Sequence, residues 1–140
     1  DYSELSVKSS EKLNSKNILC NKAKILQASV SDMPFDDNTF DNITAVETYY
    51  FWPDKENDVK EVFRVLKHGG TVMLLFEMLR TDDDPFKWEK VENMLNIKSV
   101  TPQEIRAVLE SAGFENINTY TKEGTTWLCA TAQKPKDDEN

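Results

Sequence analysis

Glycine is scarce in this chain, with four residues in 140: Gly69, Gly70, Gly113 and Gly124. No G-x-G can be drawn from them, so neither a dinucleotide fingerprint nor a P-loop is present. Histidine occurs once, as His68, and the two cysteines, Cys20 and Cys129, belong to no C-x-x-C or Cys/His grouping. Neither metal binding nor a disulfide scaffold is signalled, and reduced thiols in a cytoplasmic setting are the expectation. Apolar runs are short: the longest, residues 72–76, cannot fill a signal-peptide core or span a membrane. Positive charge is in deficit too, with 17 Lys and Arg against 25 Asp and Glu and a net charge of -8. That balance repels phosphate backbones and anionic headgroups, which argues against nucleic-acid and membrane partners. The early lysines Lys8, Lys12, Lys16, Lys22 and Lys24 have the spacing of a solvated helix face.

What is present reads as one α/β domain over residues 1–133, followed by a charged tail, residues 134–140, expected to be disordered. Ser3 can cap a helix running to about residue 16, with Leu5 and Leu13 two turns apart. Residues 24–28 (KILQA) read as a short strand, and Asp36-Asp37-Asn38 as a turn. Residues 40–46 form a second strand. Over residues 55–66, Val59, Val62, Phe63 and Leu66 fall at i, i+3, i+4 and i+7, a helical stripe with Asp54 placed to cap it and Gly69 to end it. Residues 71–76 are apolar almost throughout, which suits a parallel strand covered on both faces. An acidic run, Asp82-Asp83-Asp84, precedes Pro85 and a helix on which Trp88, Val91 and Leu95 share a face. Thr101-Pro102-Gln103-Glu104 is a capping box with proline at the first helical position, ahead of Ile105, Val108 and Leu109. Residues 115–120 and 126–133, joined around Lys122-Glu123-Gly124, read as an antiparallel hairpin. The alternation predicts a mostly parallel sheet with that hairpin at its end.

Residues 27–76 hold, in order, a polar loop with a Met33-Pro34-Phe35 turn, a Phe40-Asp41 strand, an amphipathic helix, Gly69-Gly70 and a hydrophobic strand. Each part alone is weak. The ordered set resembles the second half of a class I S-adenosylmethionine-dependent methyltransferase of type 11. That resemblance implies a Rossmann-like three-layer sandwich with its last strand antiparallel, about five of its seven strands being present and the chain opening after the Gly-rich loop. It also implies S-adenosylmethionine as cofactor and a small molecule as methyl acceptor. Asp1 matches the position that receives the ribose hydroxyls and Tyr2 the one whose ring packs on adenine. Ser29 stands where the family usually has an acid toward adenine, with Val30 after it, and Asp32 is expected to fix the following turn.

Ligands of open parallel sheets bind beyond the carboxyl ends of the strands, which brings Glu47-Thr48-Tyr49-Tyr50-Phe51-Trp52-Pro53 to the methyl group and acceptor. Glu47 is the candidate catalytic residue, able to accept a proton from an acceptor or to orient it. Tyr49, Tyr50 and Trp52 are candidate substrate contacts, since ring faces attract cations, with core packing as the alternative. His68 occupies a turn where the family usually has proline, and no metal site is expected. Two other functions compete: a non-catalytic methyltransferase-like fragment or interaction module, and a nicotinamide oxidoreductase, for which no Tyr-x-x-x-Lys pair exists. Without the strands that would lie between them, residues 24–28 either pair directly beside residues 40–46 or leave that strand with an open edge. An open edge favours a homodimer. The isolated chain is expected to bind the cofactor poorly.

Overall fold

A four-stranded sheet in the order β1-β2-β4-β3 is the frame of the molecule, a computed structural model that describes residues 1–84 and 86–137. The strands are β1 (Phe40–Val46), β2 (Leu66–Phe76), β3 (Glu115–Thr121) and β4 (Leu128–Gln133), and the helices are α1 (Glu4–Leu13), α2 (Ser15–Leu19), α3 (Lys55–Val65), α4 (Glu89–Leu95) and α5 (Pro102–Ser111). β1 and β2 run parallel, while β4 is antiparallel to both β2 and β3. The Rossmann-like α/β architecture is therefore present, but only one of the three pairings is parallel. The reason is topological. The crossover through α4 and α5 carries the chain past one strand position before β3, and the hairpin return drops β4 into the gap.

Each main helix starts where its sequence predicts. Asp54 accepts the Asn57 N–H at 3.2 Å to begin α3, and Thr101 and Glu104 cap α5 reciprocally. Val59 and Val62 of α3 and Ile105 and Leu109 of α5 bury against Val72, Leu74 and Phe76 of β2 and Leu128, Ala130 and Ala132 of β4. Thr71, Met73 and Leu75 on the opposite face of β2 are only half-buried. α3 passes directly into β2, so Gly69-Gly70 lies within a strand rather than in a turn. Residues 66–71 of β2 bulge opposite residues 40–42 of β1. Gly69 takes φ +75°, and a Cβ on Gly70 would stand 2.8 Å from the Lys67 carbonyl oxygen and 2.9 Å from that of Asp41.

Three expectations are corrected. The first helix is split, α1 ending at Leu13 and α2 following it, with Asn14 capping both. Residues 24–28 join no ladder and do not pair with β1. The Leu26 carbonyl instead accepts from the Asp1 amino group at 3.3 Å, and the Ala28 N–H donates to the Asp1 carbonyl at 3.0 Å. Two backbone bonds are too few for a strand ladder. Lys134, expected to open the tail, is 4 % exposed, and its ammonium donates to Asn38 Oδ1 at 2.8 Å and to the carbonyls of Phe63 and Leu66 at 2.9 Å each. The cation satisfies orphan acceptors at the end of α3 and lies over the Phe63 ring. Of the rest of that segment, residues 138–140 lie outside the described residues, as does Pro85.

Candidate functional site

Two groups of sequence-selected residues come together, each around its own backbone crossing. The first gathers at Asp1. Its backbone bonds to Leu26 and Ala28 hold Asp1 against the segment that leads into Ser29 and Val30, and Gln27 Nε2 donates to the Tyr2 carbonyl at 3.0 Å. Asp1 Oδ1 accepts the Ser3 N–H at 2.8 Å, leaving Oδ2 without a hydrogen bond among the described residues. Tyr2 is 72 % exposed, so its ring face is open. Ser29 Oγ accepts the Ser31 N–H at 3.1 Å, closing a tight turn, while its own proton is free to be donated. Val30 packs half-buried on the core.

The loop that follows is fastened to α3 by residues that sequence inspection missed. Glu61 Oε1 accepts the Met33 N–H at 2.9 Å, and Arg64 donates to Glu61, to Asp37 Oδ1 at 2.7 Å, and to the carbonyls of Phe35 and Met33 at 2.8 and 3.2 Å. Asp32 is exposed; the Met33-Pro34-Phe35 turn is held by Glu61 and Arg64 instead. The available signal was the Glu61/Arg64 pair, three residues apart on the α3 face toward this loop.

The second group forms where β1 ends. The Glu47 N–H continues the parallel ladder to the Leu75 carbonyl at 3.0 Å, and the residue then turns into the left-handed region at φ +57°. A glutamate seldom adopts that conformation. Burial pushes its carboxyl above the usual range, opposed by the Glu77 backbone N–H and reinforced by the Glu77 carboxylate. Among the described residues, two buried side-chain atoms have no hydrogen-bond partner, Glu47 Oε1 and Asp58 Oδ1. Glu47 directly follows β1, and Asp58 lies in the first turn of α3. Asp58 is fully buried, and its other oxygen accepts the Asp54 N–H at 2.9 Å.

Between them the aromatic run folds as a short 3-10 turn, Tyr49–Phe51. Tyr49 and Tyr50 are buried, their rings packing edge-on against Phe76 at 5.5 and 5.8 Å. Burial pushes both hydroxyls up to about 12. Tyr50 Oη accepts the Met78 N–H at 2.9 Å. These two rings are occupied by the core, the alternative that sequence left open. Trp52 is half-buried and Phe51 is 51 % exposed. Lys55 Nζ donates to the carbonyls of Tyr50 and Trp52 at 3.2 Å each and so fixes the turn from below. His68 lies away from both groups, with Nδ1 3.0 Å from the Pro135 carbonyl oxygen. No cluster of His, Cys, Asp and Glu with metal-binding geometry exists among the described residues, nor is any helix long and apolar enough to cross a membrane.

A family model described as a methyltransferase domain matches residues 1–74, just over half of the chain. An uncharacterized methyltransferase, YdaC of Bacillus subtilis, is 29 % identical over 126 residues, covering 89 % of this chain and 64 % of its own length. The ubiquinone/menaquinone biosynthesis C-methyltransferase UbiE of Cronobacter sakazakii is 32 % identical over 136 residues, covering 81 % of this chain and 54 % of that protein. The chain thus spans between about half and two-thirds of the length of these relatives. In three dimensions, an S-adenosylmethionine-dependent methyltransferase structure from Thermotoga maritima superposes with a TM-score of 0.70 at 20 % identity, covering 89 % of this chain and 70 % of that one. The ordered loop, strand, helix and strand of residues 27–76, the sheet they build and these likenesses agree: the chain belongs to the class I S-adenosylmethionine-dependent methyltransferases.

Proposed function

We propose that this chain forms the acceptor side and the adenosine side of an enzyme that moves a methyl group from S-adenosylmethionine to a small molecule, with Glu47 facing the acceptor. The observation that carries this is Glu47 itself: a left-handed carboxylate residue at the end of β1 with one buried oxygen unpartnered. An unpaired buried acceptor costs stability, and such groups persist where function uses them. Here it would accept a hydrogen bond or a proton from an acceptor N–H, O–H or acidic C–H, its raised pKa suiting exchange nearer neutral pH.

The Asp1 group fits the adenosine part of the cofactor. Asp1 offers an acceptor to a ribose diol, Tyr2 an open ring to adenine, and the Ser29–Val30 turn a hydroxyl and a backbone edge. When bound, the cofactor supplies an activated methyl on a sulfonium, and the protein's part is mainly positioning. Trp52 and the exposed Phe51 and Val46 would border an acceptor of apolar character. A relative named for ubiquinone/menaquinone biosynthesis supports that choice.

The outer edge of β1 supports a homodimer. The Glu47 N–H points to β2, so the backbone groups of Asn42, Thr44 and Val46 point the other way, and β1 has no second neighbour among the described strands. A cytoplasmic setting belongs to the same reading. The deciding experiment is Glu47→Gln in the intact enzyme. Turnover should fall at least tenfold while the affinity for S-adenosylhomocysteine stays within twofold. Equal loss in both would make Glu47 structural.

A further inference from the structure

We propose that Lys55 is a positioning residue for the acceptor side of the site: its ammonium fastens the backbone of the Tyr49–Phe51 turn to the start of α3 and thereby sets where the Trp52 ring stands. Only the catalytic meaning of this rests on the reading of residues 47–53 as the acceptor side. Lys55 is the first residue of α3, where the positive end of the helix dipole disfavours a cation, and it is half-buried. Both conditions cost stability unless the ammonium finds acceptors. It finds them outside the helix, in the carbonyls of Tyr50 and Trp52 at 3.2 Å each, and it lies 5.3 Å from the centre of the Tyr49 ring. A tetrahedral ammonium with three protons can serve two carbonyls and a ring face at once.

The same turn of α3 holds the segment from its other end. Asp58, fully buried, accepts the Asp54 N–H at 2.9 Å, so side chains of a single helical turn grip two carbonyls and one N–H of residues 50–54. Within the segment, the Phe51 and Trp52 N–H groups donate to the carbonyls of Thr48 and Tyr49 at 3.0 and 3.1 Å. A short 3-10 turn of this kind has poor hydrogen-bond geometry and little stability of its own. Trp52 rests on Tyr49 with ring centres 5.2 Å apart, so its position follows the backbone that Lys55 holds. Replacing Lys55 by methionine keeps the apolar stem and removes the donor, and the two carbonyls then turn toward water.

The test is the NMR signals of the Tyr50 and Trp52 carbonyl carbons and of the Trp52 indole N–H in the unaltered protein, in Lys55→Met and in Ile117→Val. Chemical shifts report the folded state, so a loss of stability alone does not move them. Ile117 is a buried β3 residue, and its substitution supplies such a loss away from the turn. Lys55→Met should move both carbonyl carbons upfield, as expected for carbonyls that lose a charged donor, and should shift the indole signal with them. Ile117→Val should leave all three in place. Unmoved carbonyl carbons in Lys55→Met, an indole signal that stays put while they move, or equal movement in Ile117→Val overturns the positioning role. Should Lys55→Met not fold, the unaltered protein decides: an ammonium bound to two carbonyls gives a resolved, slowly exchanging nitrogen–proton signal, and its absence defeats the inference. These signals read the turn itself, so their failure is separable from failure of the acceptor-side reading, which the turnover of Glu47→Gln decides.

Discussion

Lys134→Met should destabilise the fold by more than any other change of a charged residue to an apolar one near the end of the chain. The Lys134 ammonium closes two backbone carbonyls at the junction of α3 and β2, Phe63 and Leu66, and the amide oxygen of Asn38. Removing the cation leaves those acceptors short of a donor, at about 1–3 kcal/mol for each that stays buried. Two effects reduce the loss: methionine keeps an apolar stem on the Phe63 ring, and no ammonium has to be taken out of water. The balance is a loss of about 2–4 kcal/mol. For a chain of this size that lowers the thermal midpoint by roughly 6–15 °C. Circular dichroism melts, with urea titrations to give the slope, measure both. Lys136→Met is the matched comparison, since Lys136 is exposed and should change stability by less than about 0.5 kcal/mol. If the two variants melt together, Lys134 does not hold α3 to β2.

Gly70→Ala should cost about 1–3 kcal/mol in the same melts, because the new methyl meets two backbone oxygens that cannot turn aside; a neutral result would mean the bulge is not formed. Acid should weaken the fold partly through Glu92, whose carboxylate is held below its usual range by the Ser99 hydroxyl and then by the Ser99 N–H. Its folded pKa lies below the unfolded one, so the contribution is complete above about pH 4.5 and fades as pH falls through the folded value, and Glu92→Gln should flatten that part of the profile. Glu47 has the opposite sign: pushed up by burial, it favours the folded state below about pH 4.5 and loses that advantage as pH rises through its folded value. Glu47→Gln should therefore raise the melting midpoint at pH 7, and a lowered midpoint would contradict the unpartnered carboxylate. Asp1→Ala should weaken binding of S-adenosylhomocysteine by about 1.5–3 kcal/mol in calorimetry, the range for a lost charge-assisted hydrogen bond, and an unchanged affinity would remove Asp1 from the site.

The parts legible in the sequence were those whose signal is local. The stripe of Val59, Val62 and Phe63, the Thr101–Glu104 box and the Phe40–Val46 strand each rest on residues within a few turns of one another, and each formed where its residues indicated. The order β1-β2-β4-β3 was not legible, because strand order depends on which gap a crossover leaves and not on any single segment. KILQA has the composition of a strand but found no neighbour to pair with, and pairing decides strands more than propensity does. Lys134 looked like the start of a charged tail because its acceptors lie some 70 residues away at the end of α3. At the candidate site, Glu47 was selected from its place after β1 and the Asp1 group from the family resemblance, whereas the division of the aromatics between core and surface was not legible. Tyr49 and Tyr50 differ from Phe51 only in how far the 3-10 turn rotates each ring into the core.

Titration of isotopically labelled protein with S-adenosylhomocysteine to millimolar concentration, followed by amide chemical shifts, tests the proposed site most directly. Amides of Tyr2, Ser29 and Val30 should move together with those of Glu47 and Thr48, even if binding is weak, while the Lys67–Gly70 bulge at the opposite end of the sheet stays still. Shifts confined to the bulge, or none at either group, would contradict a cofactor lying across the carboxyl end of β1.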